Sequence, residues 1–137
     1  MKERGTEPEV LELMVRETSW QFPPGSRLAT AMNLSRARAE YLIEKLRAAR
    51  RILILADGSV IHMDYWNEIA AFAEELLVVY HRENPISEGM DKEEFKSRLN
   101  EQFRLGDIRR AAVLLAELVK RMAVKTQGAF VAGKDFS

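Results

Sequence analysis

Cysteine is absent from the 137 residues, so there is neither a disulfide framework nor a thiolate metal site, which suits a reducing compartment such as the cytoplasm. Proline and glycine are scarce, at 4 and 7, and nowhere do they gather into a linker. Neither sign of charge dominates: residues 1–65 carry 10 Lys/Arg against 9 Asp/Glu, and the remainder 11 against 12. A free-standing nucleic-acid binder usually has a basic excess, because neutralising phosphates supplies much of its affinity. Long apolar runs are missing too. The longest, residues 69–80, is broken by Glu74 and Glu75, and the N-terminal MKERGTEPEV is charged without an apolar core, so neither a membrane span nor a signal peptide is expected. What remains is 47% hydrophobic and 31% charged, the composition of a globular, helix-rich chain.

Thr6 and Glu9 form a capping-box pattern with Pro8 in the first turn, which predicts a helix over 7–19 whose inner face holds Val10, Leu13, Met14 and Trp20. Residues 21–25, with two prolines, read as a loop with room for a very short edge strand, followed by a short helix over 26–32. Ser35 caps a longer helix in which Ala39, Leu42, Ile43 and Leu46 repeat at i, i+3, i+4, i+7. Two β-prone runs, 52–55 and 60–63, flank Asp57-Gly58, a dipeptide typical of tight hairpins. Three helices and a hairpin make a winged-helix pattern.

The order then repeats. Asp64 is expected to cap a helix over 65–83 with Ile69, Phe72, Ala73, Leu76, Val79 and Tyr80 inward; Pro85 stops it and Gly89 turns the chain. Asp91 caps a helix over 92–100, with Glu94 reaching back and Met90 placed to staple onto Phe95. Asp107 caps a third helix running to Met122, with Ile108, Ala111, Ala112, Leu115, Leu118, Val119 and Met122 inward, and runs 124–127 and 129–132 flank Gly128. The expected fold is mainly α with small β-hairpins: tandem winged-helix modules over 1–64 and 65–137, with a period near 65.

Motifs for chemistry are few. Residues 128–135 have the glycine and lysine spacing of a phosphate loop, but no helix follows to supply amides, and Asp135 stands where a hydroxyl belongs. His62 and His81 lack a carboxylate at helical ligand spacing and read as structural. No serine has a base the sequence can point to, so no enzyme, cofactor or metal is expected. The third helix of each module is the one a nucleic acid would meet. The first should present Arg36, Glu40, Glu44 and Arg47, with Arg38 and Lys45 at its edges; the second should present Arg109, Arg110, Val113, Leu114, Glu117 and Arg121. The carboxylates disfavour groove reading, which leaves Arg36, Arg38, Arg109 and Arg110 as candidates for auxiliary backbone contact.

Residues 80–86, YHRENPI, and 89–99, GMDKEEFKSRL, resemble the C-terminal region of bacterial selenocysteine-specific elongation factors, SelB, in which a helix ends in a "YHxxxP" turn and a "GMxKEELRSRL" helix follows. Residues 128–133 look like that family's closing hairpin, while the first module matches mainly in pattern. The resemblance implies a non-catalytic piece of a larger factor whose GTPase and tRNA-binding domains lie elsewhere. It implies a row of winged helices that tethers the factor to a hairpin in messenger RNA beside an in-frame UGA codon, for selenocysteine incorporation during translation. Hairpin recognition falls chiefly to the last module in that family, so this stretch reads as a monomeric spacer. Its partners would be that hairpin or the ribosome, reached through the full-length factor, with weak or no RNA binding of its own. The competing expectation is a tandem winged-helix DNA-binding regulator or protein adaptor, for which Val113 and Leu114 would serve as a docking surface.

Overall fold

The computed structural model describes residues 6–134; Met1–Gly5, and residues 135–137 with Asp135 of the phosphate-loop-like stretch, lie outside the described residues. The chain divides into two compact units, the first reaching Trp66 and the second starting at Asn67.

In the first unit the capping box forms: Thr6 Oγ1 accepts from the Glu9 amide at 3.4 Å, and the Glu9 carboxylate accepts from the Thr6 amide at 2.9 Å. It starts α1, Glu7–Thr18, which passes into a 3-10 turn, Ser19–Gln21. The inward residues of α1 are Leu11 and Val15, while Val10, Leu13 and Trp20 of the expected face are exposed. Met14 of that face does pack against the core, but apolar residues lie on both sides of this helix, so periodicity alone does not single out the buried line. Helices α2, Gly25–Ala31, and α3, Arg36–Ala48, follow, and Ser35 caps α3 by accepting from the Arg38 amide at 3.1 Å. Ala39, Leu42, Ile43 and Leu46 are buried as expected, packing with Leu11, Val15, Leu28, Ile52 and Val60.

Strands β1, Ile52–Ile54, and β2, Val60–His62, pair antiparallel with Ile54 opposite Val60. Asp57-Gly58 therefore sits inside a five-residue loop rather than a two-residue turn, with the Asp57 carboxylate accepting from the Ser59 amide at 3.0 Å. The short edge strand is a bridge between Pro24 and Ser59, supported by the Val60 amide donating to Pro23 O. Helix α4, Met63–Glu83, starts before the expected cap. His62 does the capping: its Nδ1 accepts from the Asp64 amide at 3.0 Å.

The second unit repeats the order. Strand β3, Met90–Asp91, leads into α5, Lys92–Phe103, and then α6, Ile108–Lys120, and the hairpin of β4, Val124–Gln127, and β5, Phe130–Gly133. Asp91 caps α5 through the Glu93 and Glu94 amides, Glu94 pairs forward with Arg98, and the helix runs three residues past its expected end. β3 was not foreseen: Met90 pairs with Val131 and Asp91 with Phe130, giving a three-stranded sheet in the order β3-β5-β4. The sheet is drawn close to the loop before it at Gly89, where a Cβ would stand 2.5 Å from Val131 O. Here the hairpin is tight, with Gln127 opposite Phe130 and Gly128 at φ 60. Phe72 of α4 meets Phe103 of α5 edge-to-face at 5.6 Å.

The third helices correspond residue for residue at a spacing of 72. Both have 13 residues, follow a side-chain cap (Ser35, Asp107) and end on a residue at φ 62 (Arg50, Met122). Both close by the same backbone bonds, Arg51 N to Leu46 O and Ala123 N to Leu118 O. The core residues of α3 fall on Ala111, Leu114, Leu115 and Leu118 of α6, all buried.

Candidate nucleic-acid interface

The correspondence corrects the expected face of α6. Leu114 is fully buried and Glu117 is 6% exposed, whereas Ile108, Ala112 and Met122 of the expected inner face are exposed. At 3.6 residues per turn the line opposite the core is Arg109, Val113, Ala116 and Lys120. Leu114 is thus no docking residue, and Glu117 is turned aside to accept from Arg121 Nε at 2.7 Å. The outward line of α6 holds two cations and no carboxylate.

The line opposite the core of α3 is Ala37, Tyr41, Glu44 and Ala48, all exposed. Arg36 and Glu40, expected to face outward, lie instead along the side toward α2, where they line a groove with Thr30. Tyr41 is 54% exposed, with the Arg38 guanidinium carbon 5.3 Å and Lys45 Nζ 5.8 Å from its ring centroid. Sequence reasoning passed over Tyr41. The signal that could have found it is its place, opposite the line of Ala39, Leu42, Ile43 and Leu46 and between two cations at i−3 and i+4.

Each candidate arginine already has protein partners. Arg36 pairs with Glu40 at 3.0 Å, and Arg38 with Glu7 of α1 at 2.7 Å. Arg109 holds both carboxylate oxygens of the Asp107 cap, and its guanidinium pulls the Asp107 carboxyl down to about 2. Arg110 donates to Leu105 O at 3.1 Å. Exposed pairs of this kind are screened by water and add little to stability, so they orient the side chains yet yield to a phosphate. Arg47 and Glu44 also pair, which holds the Glu44 carboxyl below its usual range.

The histidines turn inward. His62, 2% exposed, spends Nδ1 on the Asp64 amide and places Nε2 2.8 Å from Glu12. Glu12 also accepts from Arg51, whose guanidinium keeps its carboxyl below the usual value. Ser19 is no nucleophile, because its hydroxyl accepts from the His62 amide at 2.8 Å and donates to Val15 O at 2.6 Å. In the second unit His81 Nε2 accepts from the Gly133 amide at 3.2 Å, and burial, aided by Lys125, pushes its pKa down. Gly128–Gly133 of the phosphate-loop-like stretch form the turn of the wing and β5. Among the described residues no three or more His, Asp or Glu are gathered to hold a metal ion, and no helix is long and apolar enough to cross a membrane.

No curated protein matches the chain. Residues 75–132, from the C-terminal part of α4 to Ala132 of β5, match the family model described as elongation factor SelB, winged helix. With that match on the same three helices and sheet, the second unit is a winged helix of the SelB elongation-factor family.

Proposed function

We propose that the chain is a non-catalytic tandem winged-helix arm of a selenocysteine-specific elongation factor, working in the cytoplasm as a monomer during UGA-directed selenocysteine incorporation. The observation that carries this reading is the SelB winged-helix match over residues 75–132. The modules 1–64 and 65–137 provide reach, so that a factor anchored to a hairpin in messenger RNA is held at high effective concentration near its codon. Arg36, Arg38, Arg109 and Arg110 add weak contacts to RNA phosphates. Two features support a spacer rather than a clamp: the net charge of +0, and the acidic partners already held by three of those arginines.

A salt-dependent titration tests the reading. The chain should bind a selenocysteine-insertion hairpin, an unrelated RNA hairpin and duplex DNA equally and weakly, with affinity falling steeply as salt rises. Tight, selective binding of the insertion hairpin would place recognition in this chain and refute the spacer. Tight, selective binding of duplex DNA would turn the reading to a regulator acting through the carboxylate-free line of α6.

A further inference from the structure

We infer that the Arg38–Tyr41–Lys45 stripe of α3 is a stacking and phosphate contact for single-stranded nucleic acid. Three observations converge on it. Tyr41 stays 54% exposed with both cations already beside its ring, so aromatic surface remains open to a planar base. Lys45 is exposed and, among the described residues, has no carboxylate partner; Arg50, exposed just past the helix end, has none either. The carboxylates nearest along the helix, Glu40 and Glu44, are engaged by Arg36 and Arg47. An exposed aromatic ring beside Lys45, which is unpaired, and Arg38, whose exposed pair with Glu7 can yield to a phosphate, matches a chain of stackable bases joined by phosphates.

The corresponding helix sharpens the assignment. At a spacing of 72, the positions of Arg38, Tyr41 and Lys45 are Arg110, Val113 and Glu117, so the shared frame carries this stripe in the first unit and not on α6. A residue needed only for packing would be expected to recur with the core residues of the two helices, which do recur. A duplex hides its base faces in the stack, so the contact prefers single strands and tolerates any sequence. This inference stands apart from the elongation-factor reading, since it rests on the surface of α3 alone.

The test titrates the whole chain with labelled oligo(U) and oligo(dT), against a duplex of equal length, inorganic polyphosphate and poly-glutamate. Both single strands should bind more tightly than the other three ligands. Tyr41→Ala should weaken single-strand binding about tenfold and leave duplex binding unchanged, while Tyr41→Phe, which keeps the ring, should retain it. Lys45→Gln should flatten the dependence of log affinity on log salt by about 0.7, the share of one phosphate on a single strand. The inference is overturned if polyphosphate or poly-glutamate binds as tightly as oligo(U), if Tyr41→Ala behaves as the parent chain, or if neither single strand binds at low salt. Each of those results leaves the spacer reading standing, whereas selectivity for the insertion hairpin would refute the spacer and not the stripe.

Discussion

His81 and Glu12 tie the stability of the two units to different pH ranges. His81 accepts the Gly133 amide through Nε2, and burial with nearby Lys125 holds its folded pKa below 6.5. The unfolded chain therefore binds the proton first, so this contribution is complete above about pH 6.5 and is lost as pH falls through the folded value. Glu12 is a depressed carboxylate of the first unit, held down by Arg51, so its contribution is present above 4.5 and is lost only at lower pH. Acidification from pH 7.5 should loosen the second unit before the first. An NMR titration should find His81 protonating below pH 6.5, with amides of β5 shifting in step; an ordinary imidazole pKa would remove the argument. Gly89 is the other residue on which the second unit turns. Gly89→Ala would drive a methyl into the Val131 carbonyl at 2.5 Å, a rigid strand atom, and should destabilise that unit by about 2 kcal/mol in thermal or denaturant unfolding. Neither histidine contact was legible in the sequence. Glu12 and His62 stand 50 residues apart and Gly133 and His81 stand 52 apart, distances that only the tertiary fold closes.

At the scale of elements, legibility followed the strength of local signals. Ser35, Asp91 and Asp107 cap helices where their chemistry said they would, because a short acceptor side chain ahead of a helix has few other uses. The core face of α3 could be read because its apolar residues are separated by charged ones. In α6 the run from Ala111 to Ala116 is wholly apolar or small, so several faces fit a 3.6-residue period and the chosen one was rotated. Aligning the A-x-x-L-[IL]-x-x-L pattern of the two helices resolves it, and the same alignment brings Tyr41 and Val113 to the outward line. Two adjacent substitutions check the rotation. Leu114→Ala empties a fully buried position and should cost about 2–5 kcal/mol, while Val113→Ala, one residue away at a half-buried position, should cost no more than about 1 kcal/mol. Equal effects would mean that α6 is turned as first read. Strand β3 was illegible for a different reason: two residues carry no alternation, and its pairing is set by the approach of β5 at Gly89.

For the molecule as a whole, the point at issue is where its two units part. The division between Trp66 and Asn67 falls inside α4, a 21-residue helix, and not in a loop. Proteases cut where backbone can leave its hydrogen bonds and enter the active site, which favours exposed turns over helix interiors. Chymotrypsin has aromatic sites on both kinds of backbone here. Trp20 is 58% exposed in a 3-10 turn and Phe130 follows the two-residue turn of the wing, whereas Trp66 is 4% exposed within α4. Early digestion, followed by mass spectrometry, should therefore nick the chain near Trp20 or Phe130 and spare Tyr65 and Trp66. Early cleavage at residues 65–66 would show that α4 opens there as readily as an exposed turn, and the argument from helix hydrogen bonds would fail.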